Sequence, residues 1–210
     1  MTKTLVALVL IAGGVLLVTR LVDTDNPVPA RLSPPTGANQ ISEARRVSPD
    51  AAMDHVAGYV VVNDVSARDW QGVPAALHPG ETGDGQWLRA KGSDTFLPMG
   101  PVFVTPDELD PSAGIRLRSW RITPHGEEHL MQDGSTADMI WGIPALLAFI
   151  SAAITLEPGD VIATGTPSGV GVFRDPPIFL EPGDRVRCEI EGIGTLENAI
   201  VDWTEDPRSS

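Results

Sequence analysis

The apolar run Gly58-Tyr59-Val60-Val61-Val62 ends abruptly in the polar segment Asn63-Asp64-Val65-Ser66-Ala67-Arg68-Asp69-Trp70-Gln71, and this junction constrains the chain most. The run reads as a buried strand. The segment after it sets two acids, an Arg and a Gln where a core strand reaches its end, which is where a site is built. Asn and Asp side chains also close turns at strand ends, so a plain turn is the competing reading.

With 210 residues, the chain suits one domain with a substantial core plus a tail. Its formal charge of −13 argues against a nucleic-acid partner, because no basic stripe is present to neutralise phosphates. Cys188 is the only cysteine, which excludes an intramolecular disulfide and a cysteine-rich zinc site. It stands in the alternating segment Arg185 to Ile190 and reads as packing rather than as a nucleophile.

Leu5 to Val18 is an apolar run interrupted by Gly13-Gly14, with Lys3 before it and Arg20 after it. It falls short of the ~20 apolar residues a spanning helix needs. An export signal (with Val28-Pro29-Ala30 as the cleavage site), a membrane anchor and a misassigned gene start remain open readings. Residues 1–22 are therefore expected to be an apolar leader, with membrane contact through residues 4–18. Residues 23–41, rich in Pro, Asp, Ser and Thr, read as a linker. A domain is expected over 42–204, followed by a tail over 205–210.

Within that domain, Ser48-Pro49-Asp50 looks like a helix start: Ser as cap, Pro at the first helical position and an acid in the first turn. Gln71 to Lys91 is Gly- and Pro-rich and reads as a long loop, of the kind that often serves as a lid. Val102 to Val104 and the alternating Ile115 to Ile122 read as strands, the latter with Arg116 and Arg118 on a solvated face. His125-Gly126 suits a hairpin turn, and Asp133-Gly134 also reads as a turn. Ser135 or Thr136 is expected to cap the next segment. Ile143 to Thr155 carries the longest helical signal, with Pro144 tolerated in the first turn. Leu156-Glu157-Pro158-Gly159-Asp160 and Leu180-Glu181-Pro182-Gly183-Asp184 repeat one turn chemistry ahead of β-type segments. The sum is an α+β, sheet-rich domain with few helices.

Further motifs follow in order: Arg89-Ala90-Lys91-Gly92-Ser93-Asp94-Thr95-Phe96, Met99-Gly100-Pro101, Gln132 to Ile140, and Ala163-Thr164-Gly165-Thr166-Pro167-Ser168-Gly169-Val170-Gly171. With the Asn63 to Gln71 segment they resemble the C-terminal catalytic domain of the fumarylacetoacetate hydrolase family, from about Ala44 to Trp203. That family includes acylpyruvate hydrolases, carboxymethyl-hydroxymuconate isomerases and oxaloacetate decarboxylases. The resemblance implies a β-roll, or folded β-sandwich, that pairs into homodimers and resides in the cytoplasm. Membrane association or export is expected instead if the apolar leader acts as one.

The resemblance also implies a divalent ion, Mg²⁺ or Mn²⁺, stabilising an enolate as a carbon–carbon bond breaks. Asp64 matches one of its carboxylate ligands. The family's remaining Glu-x-Glu pair would fall near Ser33 and Pro35, neither of which is an acid, and Glu43 stands alone. Lys91 and Gln71 match the pair that contacts substrate oxygens and stabilises the carbanion. Arg68 matches the motif arginine, a substrate contact or a partner of Asp64. Gly165 and Thr166 match the loop that holds a substrate carboxylate. The His–Glu lid of hydrolytic members has no counterpart in residues 1–40, and His78 is the one histidine in the long loop.

The expected function is therefore a metal-dependent hydrolase or isomerase of small 2-oxo or 1,3-dioxo dicarboxylic acids. The alternatives are an impaired family member that keeps only a carboxylate-binding fold, and a membrane-tethered binding domain without enzymatic activity.

Overall fold

The computed structural model describes residues 6–11, 18–19, 44–83 and 85–202, the first two stretches as backbone only. The expected linker over 23–41, the tail over 205–210 and Glu43 lie outside the described residues.

The apolar run at Gly58 is part of a strand, β3 (Val56–Val62), that is buried along its whole length. Its alternate residues serve two packing faces. Tyr59 and Val61 join the main core, while Val60 and Val62 pack with Val161, Ala163, Leu97 and Phe103 on the other side. A strand covered on both faces must read as continuously apolar, which is why no alternation shows in its sequence.

β3 lies in a five-stranded sheet of order β2-β7-β1-β3-β4, where β1 is Val6–Ile11, β2 Val18–Thr19, β4 Met99–Val104 and β7 Val161–Ala163. The apolar run expected to act as a leader thus supplies β1, parallel to both β3 and β7 in the middle of the sheet. Among the described residues, no helix is long and apolar enough to cross a membrane.

The second sheet runs β6-β5-β8-β9, with β5 at Arg116–Ile122, β6 at Glu128–Ser135, β8 at Arg185–Ile190 and β9 at Gly194–Ala199, all antiparallel. Leu117 of β5, Cys188 and Ile190 of β8 and Leu196 of β9 meet Tyr59 and Val61 in the main core. The apolar face of α3 (Ile143–Ala153) joins them through Ile143, Leu147 and Ile150. Burial pushes the Cys188 thiol up to about 12, in keeping with a packing residue.

Local chemistry largely follows the sequence. Pro49 opens the short helix α1 (Pro49–Ala52) after Ser48, which caps it by backbone geometry without a side-chain bond. Gly159 and Gly183 adopt the positive φ their turns need, and Asp160 and Asp184 each accept the backbone N–H three residues earlier. Arg116 and Arg118 face outward and pair with Asp133 and Glu189.

One expectation needs correction, and one is borne out. Asp133-Gly134 is not a turn but lies inside β6; a Cβ on Gly134 would stand 2.6 Å from Cβ of Pro167, so the glycine lets that loop lie on the strand. Ser135 caps a 3-10 turn (Thr136–Asp138) through a capping box with Asp138, and Gly142 begins α3.

Candidate active site

At the end of β3 the sheet hydrogen bonding stops and the chain folds into a compact turn. The N–H groups of Gln71, Gly72 and Val73 bond back to the carbonyls of Ala67, Asp69 and Arg68, bringing Arg68 and Gln71 side by side. Arg68 Nη1 donates to Gln71 Oε1 at 2.9 Å. Gly83 closes the base of the long loop against this turn. A Cβ there would lie 2.2 Å from Cα of Gly72 and 2.5 Å from the Asp69 carbonyl oxygen, so only glycine fits.

The long loop is not wholly irregular. It ends in a short helix, α2 (Trp87–Lys91), that delivers Lys91 to the site. Two contacts seat α2: the N–H of Ala67 bonds to the carbonyl of Ala90 at 3.0 Å, and the Arg89 guanidinium lies 3.9 Å from the Trp70 ring centroid. Lys91 Nζ thereby donates to Asp64 Oδ2 at 2.6 Å, with both side chains almost completely buried.

Burial acts on both members of this pair. Desolvation pushes the Asp64 carboxyl up, opposed by its bond to Lys91 and by the charges of Lys91 and Arg68. Desolvation pushes the Lys91 ammonium down, opposed by Asp64. Burial thus displaces each group toward its neutral form, while the contact between them favours the ion pair.

Asp64 and Arg68 face a cleft of about 1260 Å³ whose wall also includes Asn63, Asp69, His78 and Gln132. Asn63 Nδ2, on a residue of this wall, is buried with no hydrogen-bond partner among the described residues, and so is Nε2 of Gln71, which does not itself line the cleft. The placement of Gln71 Nε2 follows from chemistry, because Oε1 must face the donor-only guanidinium of Arg68. Unsatisfied buried donors are costly and mark a place where a ligand acceptor fits.

Gly165 and Thr166 do not share that wall. They line a smaller cleft of about 270 Å³ with Thr136, Asp138, Met139 and Trp141. Gln132, absent from the set of residues expected at the site, links the two. Its Nε2 donates to Thr166 Oγ1 at 2.7 Å and to the Pro167 carbonyl at 2.8 Å, while Ser119 Oγ donates to its Oε1 at 2.8 Å. Since a carbonyl only accepts, Pro167 fixes the orientation of the amide. The sequence signal for Gln132 was its place in the Gln132 to Ile140 motif; its partners are far away in sequence.

The metal expected from the resemblance fares differently. Among the described residues no group of three His, Cys, Asp or Glu side chains stands close enough to hold an ion. Asp64 is the carboxylate at the end of β3, and Lys91 already occupies one of its oxygens. The described donors do not fit a divalent ion.

The model of the fumarylacetoacetate (FAA) hydrolase C-terminal domain matches residues 39–201. An oxaloacetate tautomerase, mitochondrial, of Xenopus laevis is 46% identical over 161 residues, 76% of this chain and 46% of its own length. The crystal structure of a 5-carboxymethyl-2-hydroxymuconate delta-isomerase from Mycobacterium smegmatis superposes with a TM-score of 0.60 at 40% identity, over 76% of this chain and 53% of the other. A maleylpyruvate hydrolase from Sphingobium sp. SYK-6, solved with manganese(II) and pyruvate, gives a TM-score of 0.56 at 30% identity, covering 76% of this chain and 50% of the other. The chain spans about half the length of the relatives it matches.

Proposed function

The chain belongs to the fumarylacetoacetate hydrolase family, and from that premise we propose that it catalyses keto–enol isomerisation of a small 2-oxo dicarboxylic acid of the oxaloacetate type. The observation that carries this reading is the buried 2.6 Å contact between Lys91 and Asp64 beside Arg68, at the wall of the large cleft.

Isomerisation moves one proton from the carbon next to the carbonyl to the carbonyl oxygen, or back again. A group that both takes and returns a proton suits that task. Asp64 is such a group: burial raises its carboxyl, and Lys91 behind it stabilises the ionised form. In the forward direction Asp64 removes the carbon-bound proton and then delivers it to the oxygen. Arg68 supplies positive charge where the enolate charge develops. Gln71 holds the guanidinium in place through its 2.9 Å bond. The names of the tautomerase and isomerase relatives support this choice of reaction.

A second reading is metal-dependent cleavage or isomerisation with Mg²⁺ or Mn²⁺, favoured by the relative solved with manganese and pyruvate. It requires ligands beyond the described residues. In either case the active form is read as a homodimer.

The test is decay of oxaloacetate enol absorbance in the presence of the full chain. Acceleration that falls at least a hundredfold in Asp64→Asn and in Arg68→Met supports the isomerase. No acceleration at any protein concentration, with or without added Mn²⁺, rules it out.

A further inference from the structure

Among the described residues, the three charges at the end of β3 that are shielded from solvent sum to the wrong sign for a cation site. Arg68 contributes one positive charge. Lys91 and Asp64 cancel as a buried pair, so the sum of the three is positive. Asp69 also lines the cleft, but it is exposed, where solvent screens it. The strands flanking β3 add no acid. The sequence of β1 is Val-Ala-Leu-Val-Leu-Ile and that of β4 is Met-Gly-Pro-Val-Phe-Val. Beside them stands a buried amide donor of the cleft wall that has no partner among the described residues, Asn63 Nδ2, on a residue more than nine-tenths buried.

An unpartnered donor, a positive sum over these three groups and a carboxylate already paired with Lys91 make a receptor for an anion. We propose that this end of the cleft binds a small dicarboxylate or 2-oxo carboxylate directly, on Arg68 and the Asn63 amide, with no divalent ion between protein and ligand. Lys91 takes a different part from a ligand contact: it cancels Asp64, so that the cleft wall does not repel the anion. The inference deepens the proposed function and rests on its assignment of this cleft as the site.

The two descriptions of the site predict opposite signs for one substitution. If a divalent ion on Asp64 held the anion, removing that carboxylate would abolish binding. In an anion receptor, Asp64→Asn deletes a negative charge, leaves Lys91 uncompensated and tightens binding.

The experiment is calorimetric titration of oxalate into the full chain, once in EDTA and once with Mn²⁺. The expected result is binding in EDTA with an affinity within about threefold of that with Mn²⁺. Asp64→Asn should tighten it by about tenfold, and Arg68→Met should weaken it at least tenfold, as charge changes at close range do. Arg68 is only half-buried, so its variant keeps the test open if the Asp64 variant does not fold. Oxalate binding seen only with Mn²⁺ and lost in Asp64→Asn overturns the inference. So does absence of binding in both buffers; if the enol assay still shows turnover, the functional reading survives alone. Binding in EDTA without enol conversion leaves the receptor standing and removes the isomerase.

Discussion

Lys91 and Asp64 lie 27 residues apart in sequence and meet at 2.6 Å, where helix α2 packs against the segment that follows strand β3. Removing one member of a buried pair leaves the other uncompensated, at a cost of about 3–5 kcal/mol, whereas neutralising both with residues of similar volume costs far less. Lys91→Met should therefore lower the urea midpoint strongly, and the double variant Asp64→Asn/Lys91→Met should recover most of the loss. Equal destabilisation in single and double variants would show that Lys91 acts through packing.

Gln132 should matter for the Thr166 loop through its amide and not its bulk. Gln132→Leu removes bonds to Ser119, Thr166 and Pro167 and leaves the Pro167 carbonyl without the Gln132 donor. The expected cost is about 1–3 kcal/mol, read by thermal unfolding. Gln132→Glu keeps the shape but turns an acceptor toward that carbonyl, and should be no better than Leu. A Glu variant as stable as the parent would contradict the assigned orientation.

Gly83→Ala tests the base of the loop. The added methyl has only backbone to meet, at 2.2 Å from Gly72 Cα and 2.5 Å from the Asp69 oxygen. Overpacking of this kind costs about 1–3 kcal/mol and shifts the turn that presents Arg68 and Gln71. A raised KM with little change in kcat is the expected pattern, measured in the enol assay.

Cys188 should make the fold sensitive to alkali. Its thiol is raised from an ordinary value of 9.0 to about 12 by burial. Above pH 9 the unfolded thiol loses its proton while the folded one keeps it, so this contribution is complete below pH 9 and is lost as the pH rises toward about 12. Chemical denaturation between pH 8 and 11 should show a steeper fall for the parent than for Cys188→Ala. Parallel slopes would mean that the thiol is not titrating differently in the two states.

Residues whose partners are local were legible in the sequence. The apolar run before Asn63, the Pro-Gly turns at 158–159 and 182–183 and the helix after Gly142 all follow from short-range pattern. The run at Val6–Ile11 carries no such discriminating pattern, because a parallel strand in mid-sheet and a membrane segment are both continuously apolar. Asp133-Gly134 misleads for a related reason: turn composition is local, whereas the demand for glycine comes from Pro167 in a distant loop. At the site, Asp64, Arg68 and Gln71 share one segment and could be read together. Lys91 was recognisable only by resemblance, since the geometry that buries it is made by α2. Gln132 went unassigned because its role is set by Ser119 and Thr166, one on a neighbouring strand and the other in a separate loop.

The central claim is that Asp64 and Lys91 act as one chemical unit in the proposed isomerisation. A double-mutant cycle on the rate of enol conversion, using Asp64→Asn, Lys91→Met and the two combined, tests it most directly. Residues that act as a unit show strongly non-additive losses. The account predicts that each single variant loses about a hundredfold or more and that the double variant is no slower than the slower single. Losses that multiply, or a Lys91→Met variant with the parent's rate, would contradict it.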